Sequence, residues 1–291
     1  MDRYIIMFAV FCCASQALCQ QVPESEGENN SSTRIIGGNP TSIEQYPFTV
    51  QVYERGAMIC GGTIVSLRCV LTAAHCVTSQ TNQPRPRDFS VRVGTSILNN
   101  GGSVHEVSTV VVHPNYNPNT VDSDLAILVL RKNVTVRLQV LPVRVAAFDA
   151  PDGAEVTIVG WGHTGFAPSS QILNEVRVRI VNREQCAQAY RPLGMFVTYN
   201  MFCAGLIGQG GADACQGDSG GPVLFNGSLV GVTSWGEGCG LPFYPGVKVR
   251  VSQYIGWIVE TATKHNSGHT LSGLSIIMLI LSLLASLQLQ H

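Results

Sequence analysis

Polar and apolar residues alternate with a period of two in Thr49-Val-Gln-Val-Tyr53, Phe89-Ser-Val-Arg-Val93, Val176-Arg-Val-Arg-Ile180 and Val247-Lys-Val-Arg-Val251. Successive side chains of a strand point to opposite faces, so each segment reads as a strand with one face buried. Gly, Pro and Asn clusters between them supply turns, and many short strands in succession imply a sandwich or a barrel. A helical stripe occurs only over Ser252 to Lys264, where Ser252 is a candidate N-cap and Ile255, Ile258 and Val259 share a face. There is no repeat of fixed period. Pro142, Pro151 and Gly153 punctuate the stretch from Leu141 to Glu155, which is the expected join between two halves.

The two ends have patterns of their own. An apolar run from Tyr4 to Ala14, followed by small residues at Ala17 and Cys19, has the form of a secretory leader over residues 1–19 and is about half of the ~20 residues that span a bilayer. Residues 20–34 are polar and acidic through Glu24, Glu26 and Glu28, as expected of a linker or pro-segment that buries too little to order itself. After Lys264 no Lys, Arg, Asp or Glu occurs, and Ile276 to Leu287 is almost wholly apolar. That stretch is short for a spanning helix and lacks flanking basic residues. Small residues Asn266, Ser267 and Gly268, then a polar spacer from His269 to Ser275, match a glycolipid (GPI) attachment signal. A membrane-anchored protein at the cell surface is therefore expected, with a tail-anchored span and a secreted form bearing an amphiphilic tail as alternatives.

Composition narrows the class. Lys+Arg 18 against Asp+Glu 19 leaves no polycationic face for nucleic acid. Charged residues are 13% and hydrophobic ones 45% of the chain, which excludes a disordered protein. Ten cysteines, together with a leader and glycosylation sequons at Asn29, Asn30, Asn133 and Asn226, point to an oxidising compartment. His105, His113 and His163 lack ligand spacing and no calcium-type loop occurs, so neither a metal nor another cofactor is expected.

Three segments carry chemistry. In Leu71-Thr-Ala-Ala-His75-Cys76, His75 is a candidate base, because imidazole is the side chain that titrates near neutrality. In Gly217-Asp218-Ser219-Gly220-Gly221-Pro222 a serine lies among glycines that permit a sharp turn with N–H groups aimed at one point. In Asp122-Ser-Asp124-Leu-Ala-Ile-Leu-Val-Leu130 a carboxylate stands at the mouth of an apolar strand. Singly, these segments read as a packed histidine, a surface turn and a strand cap.

Together they resemble the trypsin-like (chymotrypsin-fold) serine proteases over about Ile35 to Lys264. The resemblance also rests on Arg34-Ile35-Ile36-Gly37-Gly38, Cys60-Gly-Gly, Gly160-Trp161-Gly162, Asp213-Ala-Cys-Gln-Gly-Asp-Ser219, Ser234-Trp235-Gly236 and Pro245-Gly246-Val247. It implies an all-β fold of two packed six-stranded antiparallel barrels with a C-terminal helix. It assigns Ser219 as nucleophile, His75 as general base and then acid, Asp124 as the group orienting the imidazole, and the N–H groups of Gly217 and Ser219 as the oxyanion hole. Of the two aspartates, only Asp124 directly precedes Leu-Ala-Ile-Leu. Asp213 takes the pocket position that receives Arg or Lys, with Ser234, Trp235, Gly236 and Gly246 around it. Ala214, where some relatives carry a serine that helps bind Lys, favours Arg, as does bidentate guanidinium pairing.

One residue departs from the family pattern. Lys248 replaces the usual aromatic residue after Pro-Gly-Val, and two readings are open. At ~8 Å from Asp213 its ammonium would oppose a substrate cation by roughly 2 kcal/mol, or its head would reach water elsewhere.

The resemblance further implies a zymogen cut after Arg34, the new Ile35 ammonium pairing with Asp218. It implies disulfides Cys60 with Cys76, Cys186 with Cys203, and Cys215 with Cys239, leaving Cys69 a buried thiol. Protein and peptide substrates and protein inhibitors are the partners to expect. A catalytically dead binding module and a small-ester hydrolase on the same scaffold remain as alternatives.

Overall fold

The computed structural model describes residues 37–78, 84–163 and 169–266. The leader, the pro-segment with Asn29, Asn30 and Arg34, as well as Ile35, Ser267, Gly268 and the apolar tail lie outside the described residues. In chain order the strands are β1 (Asn39–Pro40), β2 (Thr49–Glu54), β3 (Ala57–Ile64), β4 (Cys69–Thr72), β5 (Phe89–Val93), β6 (Ser103–Val112), β7 (Ala126–Leu130), β8 (Arg144–Val145), β9 (Glu155–Gly160), β10 (Asn174–Val181), β11 (Met201–Gly205), β12 (Pro222–Phe225), β13 (Ser228–Trp235) and β14 (Gly246–Arg250). The helices are α1 (His75–Thr78), α2 (Arg183–Tyr190) and α3 (Ile255–Asn266).

Strands β2-β3-β4-β7-β6-β5 close into one antiparallel barrel, and β9-β10-β11-β14-β13-β12 close into a second. Closure pairs the edge strands that an open sheet would expose. Two short strands are added outside the second barrel, β1 antiparallel on β10 and β8 parallel on β13. The first barrel ends at Leu130 and the second begins at Glu155.

Alternation appears where only one face is covered, as in β5 and β10. By contrast β7 is buried at all five positions, since one face lines the barrel and the other receives α3. One apolar cluster runs from Val50, Val91 and Leu128 of the first barrel into Val159, Leu224 and Val249 of the second, so the barrels share a seam. Burying each such side chain stabilises by about 1.5–3 kcal/mol.

The C-terminal segment ties the second barrel back to the first. Its helix is entered through a 3₁₀ turn over Val251–Tyr254, so Ser252 is not an N-cap but lies inside that turn and donates its hydroxyl to Asp149. The buried stripe consequently runs Val251, Tyr254, Ile258, Thr261, while Ile255 and Val259 are only half-buried. His113 stacks edge-on against both Tyr254 and Trp257, each at 4.9 Å. At the far end Ser66 donates to the Asn266 side chain at 3.1 Å.

Disulfides join Cys60 to Cys76, Cys186 to Cys203 and Cys215 to Cys239, and Cys69 is a buried free thiol that burial pushes up in pKa. Among the described residues no helix is long and apolar enough to cross a membrane.

Candidate active site

His75 is the first residue of α1, directly after β4 and two buried alanines, and its imidazole is half-buried. Asp124 is fully buried one residue before the apolar run that leads into β7. Its carboxylate accepts three hydrogen bonds: from the His75 backbone N–H at 2.9 Å, from Ser234 Oγ at 2.6 Å, and at 2.7 Å it meets His75 Nδ1. With Oδ2 bound to Nδ1, the imidazole is held with Nε2 directed away from the carboxylate. Burial pushes the imidazole pKa down, but the hydrogen bond and charge of Asp124 outweigh it, so His75 lies above its ordinary value.

Asp122 does different work. It accepts from Thr198 Oγ1 at 2.6 Å and from Asn200 Nδ2 at 3.0 Å, tying the first barrel to the segment that enters β11.

Ser219 lies in a tight loop clamped from both sides. Its carbonyl accepts from the Gly61 N–H at 2.8 Å, and the Gly220 N–H donates to Thr233 O at 2.7 Å. Gly220 has φ +79°, and a Cβ there would stand 2.2 Å from Thr72 Oγ1 and 3.0 Å from Ala73 N, so only glycine lets the loop close on the strand that delivers His75. Gly61 follows Cys60, whose disulfide partner Cys76 is the residue after His75. Serine loop, imidazole and carboxylate are thereby gathered where β3, β4 and β13 meet.

The backbone of this loop is sorted. The N–H groups of Asp218, Gly220 and Gly221 donate to Cys215 O, Thr233 O and Asp218 O. Among the described residues no acceptor takes up the N–H of Gly217 or Ser219. The Gln216 carbonyl is held by His163 N–H at 2.7 Å, and because C=O and N–H of a trans peptide point oppositely, the Gly217 N–H faces away from His163. Gly217 supports this orientation with φ +93°, which other residues rarely adopt.

Asp218 is fully buried and accepts from Gly162 N–H at 2.8 Å and Cys215 N–H at 3.0 Å. Burial pushes its carboxyl up to about 6 despite those donors and the charge of Lys248. A Cβ on Gly162 would come within 2.2 Å of Asp218 Oδ2, so the glycines flanking Trp161 make room for this carboxylate.

The residues expected at the pocket floor form an ion pair. Asp213 is buried and accepts from Ala214 N–H at 2.7 Å and Gly240 N–H at 3.4 Å. Lys248 is buried as well, its Nζ 3.5 Å from Asp213 Oδ1. The reading in which its head reaches water elsewhere is thereby overturned: the Lys248 side chain is buried and its ammonium stays on the Asp213 carboxylate. Ser234, Trp235 and Gly236 form the neighbouring strand end, with Gly236 exposed and facing Gly246. Tyr190, which no sequence motif singles out, bridges the segments on either side: its hydroxyl donates to Pro245 O at 3.0 Å and accepts from Glu237 N–H at 3.2 Å.

Beside the serine loop a cavity of about 560 Å³ is lined by Tyr53, Met58, Ile59, Arg92, Asn99, Gln216 and Gly217, among others. Cys60, His75 and Cys76 lie close enough to hold a metal, but both sulfurs are spent in a disulfide.

Two closed antiparallel barrels that carry a carboxylate-bound imidazole and a clamped serine loop with two unclaimed amides define a serine endopeptidase of the chymotrypsin fold. The chain matches the family model described as trypsin over residues 35–258, and it belongs to the trypsin family. It is 42% identical over 234 residues to "Trypsin, alkaline C" of Manduca sexta, covering 77% of this chain and 90% of that protein. Identity is 38% over 263 residues to "Trypsin" of Phaedon cochleariae, covering 89% and 98%, and 41% over 243 residues to "Vitellin-degrading protease" of Bombyx mori, covering 82% and 89%.

Proposed function

We propose that this chain is made as a zymogen, is cut after Arg34, and then cleaves protein substrates by acyl transfer through Ser219, His75 and Asp124. The observation that carries the catalytic assignment is the buried Asp124 carboxylate bound to His75 Nδ1 at 2.7 Å, behind a serine loop closed onto β4. A serine hydroxyl is too weak an acid to attack an amide unaided. Neutral His75 takes its proton as the bond to the carbonyl forms, and Asp124, fixed by Ser234, stabilises the resulting imidazolium. The oxyanion meets the N–H groups of Gly217 and Ser219, where loss of one donor costs about 2.7–4 kcal/mol. His75 then returns the proton to the leaving amine, and water repeats the sequence on the acyl-enzyme.

The activation reading rests on Asp218, a buried carboxylate of raised pKa that an α-ammonium at Ile35 would neutralise. Two residues beyond Ile35, Gly37 already packs against Gly211, since a Cβ on it would come within 2.2 Å of Gly211 O. The remaining roles follow the same reading. Asp213 receives a substrate Arg, and Lys less well because Ala214 brings no hydroxyl. Asn133 and Asn226 are exposed and able to carry glycans, with Asn29 and Asn30 as further acceptors. Residues 1–19 act as a signal peptide, 20–34 as the activation segment, 35–264 as the peptidase domain and 265–291 as the signal for a cell-surface lipid anchor at Asn266, Ser267 or Gly268.

Turnover of peptide substrates by the cleaved protein tests the assignment. Ser219→Ala is expected to lose about 10⁴–10⁶ in turnover with substrate binding retained, and a loss under about tenfold would remove Ser219 from the chemistry.

A further inference from the structure

The pocket acid of this chain is already partnered from within. Residues 246 and 248 of β14 lie on one face of the strand, two positions apart, and that face looks onto Asp213. A Cβ on Gly246 would come within 2.6 Å of Lys248 Nζ, 2.8 Å of Asp213 Oδ1 and 3.0 Å of Asp213 Oδ2, so ammonium and carboxylate meet at a single point on the bare pocket wall. Both side chains are almost fully enclosed, with 2% of Lys248 and 4% of Asp213 exposed. Ala214 N–H and Lys248 share Oδ1, and Gly240 N–H approaches Oδ2. Asp218 is a second buried carboxylate that the charge of Lys248 reaches.

We propose that Lys248 is a specificity-determining residue: it sets the charge of the pocket floor near zero, so that a substrate Arg is accepted without large preference over an uncharged side chain of the same shape. The proposal rests on the reading of Asp213 as the pocket floor. An unpaired buried carboxylate would favour a cationic side chain strongly, since losing one partner of a buried charge pair corresponds to about thirtyfold up to several thousandfold. With Lys248 in place the carboxylate pays no such penalty when the substrate is neutral, and an incoming guanidinium must share Asp213 with a like charge. The substrates that profit are those with long uncharged side chains, such as Met, Leu or Gln, at the cleaved bond.

The test compares peptide substrates that differ only in Arg or citrulline, its uncharged isostere, at that position. For the native enzyme the ratio of kcat/KM is expected to stay below about thirtyfold, and a larger ratio overturns the proposal. In Lys248→Met, which keeps length and volume, the ratio should rise at least about tenfold and benzamidine should bind at least about tenfold more tightly. An unchanged ratio in a folded variant also overturns it. Because the native comparison needs no variant, misfolding of Lys248→Met leaves the proposal testable. Asp213→Asn separates the two readings. A large native ratio that Asp213→Asn collapses sinks Lys248 alone, whereas no effect of Asp213→Asn on the Arg substrate, in either background, removes Asp213 from the pocket floor.

Discussion

At the scale of single residues, two titrations carry opposite signs. In the proposed mechanism neutral His75 is the base, and Asp124 raises its pKa above the ordinary 6.5 although burial opposes it. The acid limb of kcat/KM should therefore have its midpoint above pH 6.5, with activity gained as pH rises through it. Asp124→Asn removes the charge and exchanges one of the two acceptor oxygens for an NH2 donor, so the limb should move down while kcat falls about 10⁴-fold; an unmoved limb would show that Asp124 does not hold the base. Asp218 behaves as a carboxyl whose folded value, about 6, exceeds its ordinary value of 3.8. Its contribution to stability is fully present below pH about 4 and is lost as pH rises through 6, to the extent of roughly 3 kcal/mol. Uncleaved Ser219→Ala protein should thus lose Tm between pH 4 and 7, and Asp218→Asn should flatten that profile. Cleavage after Arg34 should flatten it too, if the Ile35 ammonium becomes the partner of Asp218. A pH-independent difference between Asp218→Asn and its parent would contradict this account.

At the scale of elements, the strands with one covered face were legible in the sequence and those buried on both faces were not. The alternation in Phe89–Val93 marks β5, whereas Pro222–Phe225 and Met201–Gly205 carry no period-two signal because nothing polar faces out. The helix α2 was missed although its cap is written in the chain: Asn182 accepts from the N–H groups of Glu184 and Gln185. The one helix that was read starts late because Ser252 is drawn to Asp149 instead of capping. The motifs single out His75, Asp124 and the loop around Ser219, but Tyr190 lies outside every motif, and its place against Trp235, with ring centroids 5.0 Å apart, comes from packing. Tyr190→Phe keeps that packing and deletes two hydrogen bonds, leaving the buried Pro245 carbonyl without its donor. A destabilisation of about 1–3 kcal/mol and a raised KM with kcat changed less are expected in thermal melts and kinetics. An unchanged KM would show that α2 does not shape the pocket wall.

At the scale of the whole molecule, the two closed barrels share one apolar seam and are tied across it, among other places by Asp122 with Thr198 and Asn200, by Ser234 with Asp124, by Trp161 Nε1 with Ser96 O at 2.9 Å, and by the C-terminal helix against β4 and β7. The site takes one member from the first barrel's helix, one from the approach to its last strand, and one from a loop of the second. Relative placement of the barrels therefore sets the catalytic distances. The chain beyond α3 carries the attachment to the cell surface in the reading proposed above. Phosphatidylinositol-specific phospholipase should release active enzyme from expressing cells, and enzyme retained after that treatment would favour a spanning tail.

The central claim is that Ser219 is a nucleophile activated by His75. A fluorophosphonate reacts covalently with such a serine, and peptide mass spectrometry of the cleaved enzyme reads the site directly. One phosphonyl group per molecule on Ser219, with the labelling rate of His75→Ala down by about 10³-fold or more, is the predicted result. Label on another residue, or equal labelling rates with and without His75, would contradict the account.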